Sequence, residues 1–468
     1  MSDQEHARAT LRRDLAYGGS HFGKALLWSA AEIFSLYYLT DVLRLDPGVA
    51  GSVFLALLLW SAACDLVVGW AIDIAPPTPT RLAMLFRIGA PIAALSFVAS
   101  FSVPAEGGPA LLWVTLTSAL FRAGFSVLDV PHNALIGRLA ATGGDGELLA
   151  GIRLITGAAA MLAVGAGAAP LLTPDSALGE RGQFMLASTV AGIVALAAFL
   201  GLMPRIPERD CPPVTRPRPL FQIADAAFDR HVLAMFVATA IGFTLSGLFI
   251  KSLVYIAKYV LHDPGWTARA VLLLTLGKLA GTPFWMWLSK RISPVAASQA
   301  GYAMVTATAG ALILLGPDRA LLEPAILLLG IALGGVNLLA WALLPVLMGL
   351  LRARGTHAVE ASLFGLFTAV SKVAVGLSGA LLAALLDHYR IAPDIAVSAE
   401  QSRQLFAVCA GVLALGSVPS AVLLRVLVPR ARRLRLPVRF SRRSAPRPTA
   451  GDAPSFQDSA ADIRDDRS

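Results

Sequence analysis

The stretch Leu36-Tyr37-Tyr38-Leu39-Thr40-Asp41-Val42-Leu43-Arg44-Leu45-Asp46-Pro47-Gly48 aligns without a gap on Leu253-Val254-Tyr255-Ile256-Ala257-Lys258-Tyr259-Val260-Leu261-His262-Asp263-Pro264-Gly265, sharing Leu, Tyr and the closing Asp-Pro-Gly at an offset of 217 residues. Trp70 and Trp287 keep the same offset. Each copy reads as an apolar run, a polar break and a new helix start, with Asp placed to cap free N–H groups and Pro in the first turn, where it gives up no hydrogen bond. The repeat predicts two like halves, and the composition says of what kind. Of 468 residues, 56 % are hydrophobic and only 15 % charged, against about 25 % charged in an average soluble domain. That balance argues against an ordinary soluble enzyme and against a disordered or fibrous chain. It fits an all-α polytopic membrane protein.

A spanning helix needs about 20 mostly apolar residues. Twelve segments meet this: 22–44, 48–74, 82–103, 110–137, 149–172, 183–204, 231–261, 266–289, 294–316, 321–350, 358–387 and 403–428. Runs such as Ala325 to Leu344 are apolar on nearly every side and lack the alternation of a membrane barrel. The chain therefore divides into an N-terminal segment (1–21), a six-helix bundle (22–204), a linker (205–230), a second six-helix bundle (231–428) and a tail (429–468). With residues 1–20 inside, the even-numbered connections hold Arg81, Arg138, Arg205, Arg209, Arg216, Arg218, Arg230, Lys290, Arg291, Arg352 and Arg354, and ten arginines follow residue 428. The other side shows Arg44, Arg181, Arg269, Arg319, Arg390 and Arg403. This asymmetry predicts both termini in the cytoplasm, for a multi-pass protein of the cytoplasmic (inner) membrane. The first apolar run lacks a small-residue cleavage pattern and reads as a membrane helix, not a signal. Cys64, Cys211 and Cys409 have no C-x-x-C spacing and imply neither a disulfide framework nor a zinc site.

An ionisable side chain at mid-bilayer costs about 2.5 to 3.5 kcal/mol on insertion scales, so each marks a candidate functional position. Here these are Lys24, Glu32, Asp65, Arg122, Asp129, Arg153, Lys251, Lys278 and Lys372. Lys24 and Arg153, near inner ends, and Lys258, near the outer surface, are placed to snorkel. Asp65 has Ser61 one turn earlier on the same face, a pattern for a cation or proton site, the alternative being an Asp neutralised by an ion pair inside the bundle. Asp129 has Ser126 as a second oxygen and Arg122 two turns back as a partner, and Pro131 frees the carbonyl of Val127. A structural pair or an Asp facing water are the alternatives there. Lys372, about 21 Å along its helix at 1.5 Å per residue, needs a carboxylate or an anionic substrate. The deep charges of the second half are all positive and face Glu32, Asp65 and Asp129 of the first, so pairing across the halves is expected.

Several pieces together resemble one family. Ala16-Tyr17-Gly18, Phe22-Gly23-Lys24 and Tyr38 to Leu43 resemble the first helix of the melibiose-permease type of the major facilitator superfamily, the glycoside-pentoside-hexuronide:cation symporters. Trp60 to Asp65 with Gly69-Trp70 and Asp73 resembles its second helix, Leu128 to Pro131 its fourth, Arg153 its fifth, and Glu360, Leu363 to Phe367 and Lys372 its eleventh. The resemblance covers residues 16 to 428 and implies alternating-access symport of a small, often sugar-like solute with sodium or a proton. The family's cation-binding acid on helix two corresponds to Asp65, and its helix-four Asp, helix-five Arg and helix-eleven Lys to Asp129, Arg153 and Lys372. Together with the membrane-embedded oxygens and charges read above, this gives Asp65, Ser61, Ser126 and Asp129 as the expected cation or proton coupling site and Lys24, Glu32, Asp129, Arg153 and Lys372 as the expected substrate-binding residues. This chain departs from the family at Ser61, where the first of two helix-two acids is replaced, at Cys64 for a common Asn, at Ala25 for an acid, at Leu58 for an Arg, and over Pro345 to Leu350, where an acidic stretch is missing.

Losing one carboxylate leaves a poorer sodium cage, whereas a single buried carboxylate can still exchange a proton because burial disfavours its charged form. Proton coupling, or none, is expected over sodium, with no other cofactor. The positive interior excess fits an anionic solute, such as a uronide, an organic acid or a lysolipid headgroup, better than a neutral disaccharide. An exporter or lysolipid-type transporter of the same fold, or a non-transporting receptor or assembly factor, are the rival readings. Enzyme chemistry is not expected: His357 and Glu360, and Asp129 and His132, are three apart, but each His is alone near an inner helix end. Gly330, Gly334 and Gly335 form no phosphate fingerprint and read as helix-packing positions. Arg425 through Arg447 carries nine arginines and no acid, equal to the net +9 of the chain. This block reads as an anchor on anionic lipid rather than a nucleic-acid site, each charge worth about 1 kcal/mol near the surface. Pro446 to Ser468 has a disordered composition, and the expected state is a monomer.

Overall fold

The computed structural model describes residues 3–74, 78–104, 107–141, 146–171, 178–203, 228–352, 360–393 and 397–427. The linker expected at 205–230 falls almost wholly outside these residues, as does the basic tail beyond 427. Twelve long helices occupy the described chain: α1 Asp3–Tyr37, α2 Pro47–Ile74, α3 Pro79–Ser100, α4 Gly107–Ala141, α5 Gly146–Leu171, α6 Gly179–Leu202, α7 Arg230–Tyr255, α8 Trp266–Arg291, α9 Pro294–Leu315, α10 Arg319–Arg352, α11 Glu360–His388 and α12 Ala399–Leu423. Ten of them are long and apolar enough to cross a membrane. The exceptions are α1, loaded with His21, Lys24, Ser29, Glu32 and Ser35, and α5, whose apolar stretch Gly151–Gly167 is shorter. An even number of crossings brings the first and last described residues to one face, called here the terminal face.

Local chemistry starts the helices where the sequence punctuates them. Thr78 accepts from Arg81 N–H ahead of Pro79, and Ser293 from Ala296 N–H ahead of Pro294. Ser398 and Gln401 close a reciprocal capping box on α12. Of the two Asp-Pro starts, Asp46 caps as expected, its Oδ1 accepting from Val49 N–H at 3.1 Å. Asp263 does not: α8 begins at Trp266 with Gly265 in the cap position, Trp266 N–H donates to the Asp263 carbonyl at 3.0 Å, and Asp263 Oδ2 pairs with Arg269 and Arg319, each at 3.1 Å. The first helix also differs from expectation, running unbroken from Asp3 through the boundary expected at residue 21. Ser20 and His21 are held there by His132 of α4 and Thr156 of α5.

The repeated segment forms the same special structure twice. Tyr38–Val42 and Ile256–Val260 are π-helical turns ending α1 and α7, followed by left-handed residues Arg44 (φ 56°) and His262 (φ 50°). The turns correspond at an offset of 218, so the second copy lags its sequence alignment by one residue. The halves meet along two seams, α2 against α11 and α5 against α8. Gly51, Gly376 and Gly379 let α2 and α11 close up; a Cβ on Gly376 would lie 2.8 Å from that of Leu58. Gly165 does the same for α5, where a Cβ would meet Val271 at 2.8 Å. These seam residues lie toward the face opposite the termini, the far face.

Within the second half, α8 and α10 meet backbone to backbone, Gly277 on Gly330, Gly281 on Ile331 and Lys278 on Gly334, the close-packing role expected for the α10 glycines. A methyl group at Gly330 would run into the Leu274 carbonyl, whereas one at Gly310 meets nothing within 4 Å. Gly330→Ala is therefore expected to destabilise the protein by about 1–3 kcal/mol and Gly310→Ala to be neutral or stabilising by up to about 1 kcal/mol. Thermal unfolding in detergent checks both.

Candidate functional site

A cavity of about 430 Å³ lies between the halves, lined by His21, Lys24, Trp28, Asp129, Asn133 and Arg153 from the first and by Lys278, Asn337, Trp341, Ser371 and Lys372 from the second. Its lining runs from mid-helix positions toward the terminal face. The volume is in the range of small-molecule sites.

Three carboxylates organise the charges around it. Asp129 on α4 takes Lys24 of α1 at 2.8 Å. Lys24 Nζ also donates to Asn133 Oδ1 at 3.0 Å and faces His132 Nδ1 at 3.3 Å. All three donors of Lys24 are thereby used, and Lys24 is buried rather than snorkelling. His132 lies stacked on Tyr17, ring centroids 4.6 Å apart, with Nε2 2.8 Å from Ser20 Oγ; accepting from Lys24 at Nδ1 requires the proton on Nε2.

Asp65 on α2 is in direct contact with Lys372 of α11, and Lys372 Nζ donates to Ser61 Oγ at 3.2 Å. The ammonium thus sits between the two helix-two oxygens. Ser126 Oγ donates to the Arg122 carbonyl at 3.1 Å and reaches the Ser61 carbonyl at 3.5 Å. Asp65 Oδ1 is buried with no hydrogen-bond partner among the described residues. Asp65, Ser61 and Ser126 stand behind Lys372 and do not line the cavity. Lys24, Asp129, Arg153 and Lys372 do.

Glu32 lies deeper toward the far face and outside the cavity wall. Its Oε1 accepts from both Nη atoms of Arg122 at 3.2 Å and its Oε2 from Lys251 Nζ at 3.2 Å. Arg122 therefore partners Glu32, not Asp129 as its spacing on α4 suggested: Glu32 on α1 stands directly opposite it, while Asp129 is already taken by Lys24. Trp28 joins these groups, its ring 5.0 Å from the Arg122 guanidinium and 5.3 Å from Lys372 Nζ, within cation–π range. Two of the three clusters, Asp65–Lys372 and Glu32–Lys251, tie the first half to the second.

The far face is sealed where the repeated turns meet. Asp41 Oδ1 accepts from Lys258 Nζ at 2.7 Å and from Tyr259 OH at 2.5 Å; Lys258 also donates to Tyr37 OH at 3.2 Å. Thr40 Oγ1 is 2.8 Å from Tyr255 OH. Asp41, Trp28, Asn133, Asn337 and Trp341 were not singled out by the sequence reading. Signals existed: Trp28 follows Lys24 by one turn, Asn133 follows Asp129 by one turn, and Asn337 interrupts the otherwise apolar Ala325–Leu344 run.

The profile of a family described as MFS/sugar transport protein matches residues 16–428. The chain belongs to that family. No curated protein matches it significantly. Among solved structures, the nucleoside transporter NupG superposes with a TM-score of 0.62 at 14 % identity, covering 88 % of this chain and 99 % of that one. A bacterial homologue of the human drug peptide transporters PepT1 and PepT2 gives 0.62 at 14 % identity, covering 91 % and 99 %. A bacterial homologue of the lysosomal transporter Spinster, inward-facing and unoccupied, gives 0.63 at 12 % identity, covering 92 % and 99 %. These likenesses share the major facilitator fold, and the family places the chain among secondary transporters of the membrane.

Breaking a buried ion pair costs about 3–5 kcal/mol by leaving one charge alone. Asp41→Asn is therefore expected to open the far side, and adding Lys258→Met, which removes the stranded ammonium, to restore much of the closed population. Distances between spin labels on the α1–α2 and α7–α8 connections, measured by double electron–electron resonance, check this.

Proposed function

We propose that this protein is a proton-coupled secondary transporter that carries a small polar, sugar-like or anionic solute across the cytoplasmic membrane by alternating access. The excess of Lys and Arg on the terminal face supports placing that face in the cytoplasm. The cavity then faces the cytoplasm and the Asp41–Lys258 seal faces outside, an inward-facing arrangement.

The observation that carries the coupling is the position of Lys372 between Asp65 and Ser61. An ammonium already occupies the space a sodium ion would need, so a metal cation has to displace it and then find its remaining ligands from two serine oxygens. A proton needs no cage. Protonation of Asp65 removes the charge that holds Lys372 and frees the ammonium for the cavity, where a solute oxygen can take it. Loss of the proton recaptures it. Because Asp65 is on α2 and Lys372 on α11, the exchange acts on the seam between the halves. Its scale, about 3–5 kcal/mol for one broken buried pair, compares with the roughly 5.5 kcal/mol that carries a two-state equilibrium from 1:99 to 99:1.

In this mechanism Asp129 orients Lys24 along the cavity wall, and Glu32 is shared between Arg122 and Lys251 above it. In proteoliposomes an inward proton gradient is expected to drive solute accumulation in the parent protein and not in Asp65→Asn, which retains downhill exchange. Stimulation of the parent by sodium at constant pH overturns the proton assignment.

A further inference from the structure

Around the cavity stand three carboxylates, Glu32, Asp65 and Asp129, and six cations, Lys24, Arg122, Arg153, Lys251, Lys278 and Lys372. Every carboxylate is committed: Asp129 to Lys24, Asp65 to Lys372, and Glu32 to both Arg122 and Lys251. Two of the six are left without a carboxylate among the described residues, Arg153 near the terminal face and, at mid-helix, Lys278. Its ammonium has neither an ion-pair nor a hydrogen-bond partner among the described residues, and its side chain lines the cavity. It stands twelve residues from one end of α8 and thirteen from the other, about 18 Å from either surface at 1.5 Å per residue, too deep to snorkel to a headgroup.

Its backbone is also held in place. A Cβ on Gly334 of α10 would lie 2.9 Å from the Lys278 carbonyl, so the two helices are in backbone contact there. Asn337, one turn beyond Gly334 on the same face of α10, extends that wall of the cavity, followed by Trp341 another turn on. A fixed ammonium, an amide and an aromatic face on one wall form a small site with a single unmet requirement, a negative charge. Among the described residues lining the cavity the first half offers one carboxylate, Asp129, and Lys24 already holds it.

The geometry points to Lys278, with Asn337 beside it, as the subsite that receives the carboxylate or phosphate of a small hydroxylated organic anion. This rests on the transport reading above for its consequence and on the cavity alone for binding. Lys278 holds the anionic group, while Asn337 and Ser371 offer hydrogen bonds to hydroxyls, and Trp28 and Trp341 border the apolar part of the solute. Arg153, nearer the terminal face and without a carboxylate partner among the described residues, adds to the positive field along the approach.

The test is binding to the purified full-length protein, read as a thermal shift and then by calorimetry. Matched pairs serve as probes: gluconate against sorbitol, glucuronate and glucose 6-phosphate against glucose, and glycerol 3-phosphate against glycerol. The expected result is binding by one or more acids and not by their neutral counterparts, weakened about tenfold or more in Lys278→Gln and largely kept in Lys278→Arg. The carboxylate and phosphate members tell the two anion types apart. Binding of the neutral members, an acid that binds Lys278→Gln as well as the parent, or no binding by any acid overturns the proposal. Counterflow of the bound acid separates the two readings: Lys278-dependent binding without counterflow leaves the anion subsite standing and removes the transport function.

Discussion

The structure depends on the cost of charge in a low-dielectric interior. An ion there must be neutralised by another ion or by a ligand, and this chain places more cations than carboxylates between its halves. The carboxylates are consequently shared out with little slack. Glu32 serves two cations, and Asp65 and Asp129 one each. Because two of these clusters join residues more than two hundred positions apart, the same electrostatics that tolerates the charges also holds the halves together. Buried pairs add little net stability against an apolar alternative, but breaking one is expensive.

Packing divides the labour along the membrane normal. Toward the far face the halves close through glycine and alanine contacts on the α2–α11 and α5–α8 seams and through the aromatic cluster around Asp41 and Lys258. Toward the terminal face they part around the cavity. The glycines permit close approach by seating side chains of the facing helix, Phe54 on Gly379, Leu58 on Gly376 and Val271 on Gly165. Trp28, between the Arg122 and Lys372 cations, links the sealed region to the cavity through one ring.

Much of this was legible in the chain. The helix ends agree with the apolar spans to within a few residues at most positions, since hydrophobic length is a local property that the bilayer tests segment by segment. The α10 glycines pack as their spacing suggested, and the expected pairing across the halves is present at Asp65–Lys372 and Glu32–Lys251. Partner choice was harder to read. Arg122 shares a helix face with Asp129 but meets Glu32, Asp263 stands at a helix start but binds two arginines, and Lys24 near an inner end is buried among Asp129, Asn133 and His132. Arg122 and Lys24 take partners remote in sequence, and Asp263 takes remote Arg319 besides Arg269 six residues on; spacing along one helix carries no information about which remote residue arrives.

The sequence by itself determined the number and length of the membrane helices, the twofold repeat, and the identity of the charges that had to be compensated, because these follow from hydrophobicity and from the cost of burying an ion. Only the tertiary structure decided which charge compensates which, that the repeated turns meet as a seal, and that Lys278 faces the cavity with no carboxylate partner among the described residues. Those outcomes depend on how twelve helices pack against one another, where shifts of a few ångströms settle whether an ammonium reaches a carboxylate.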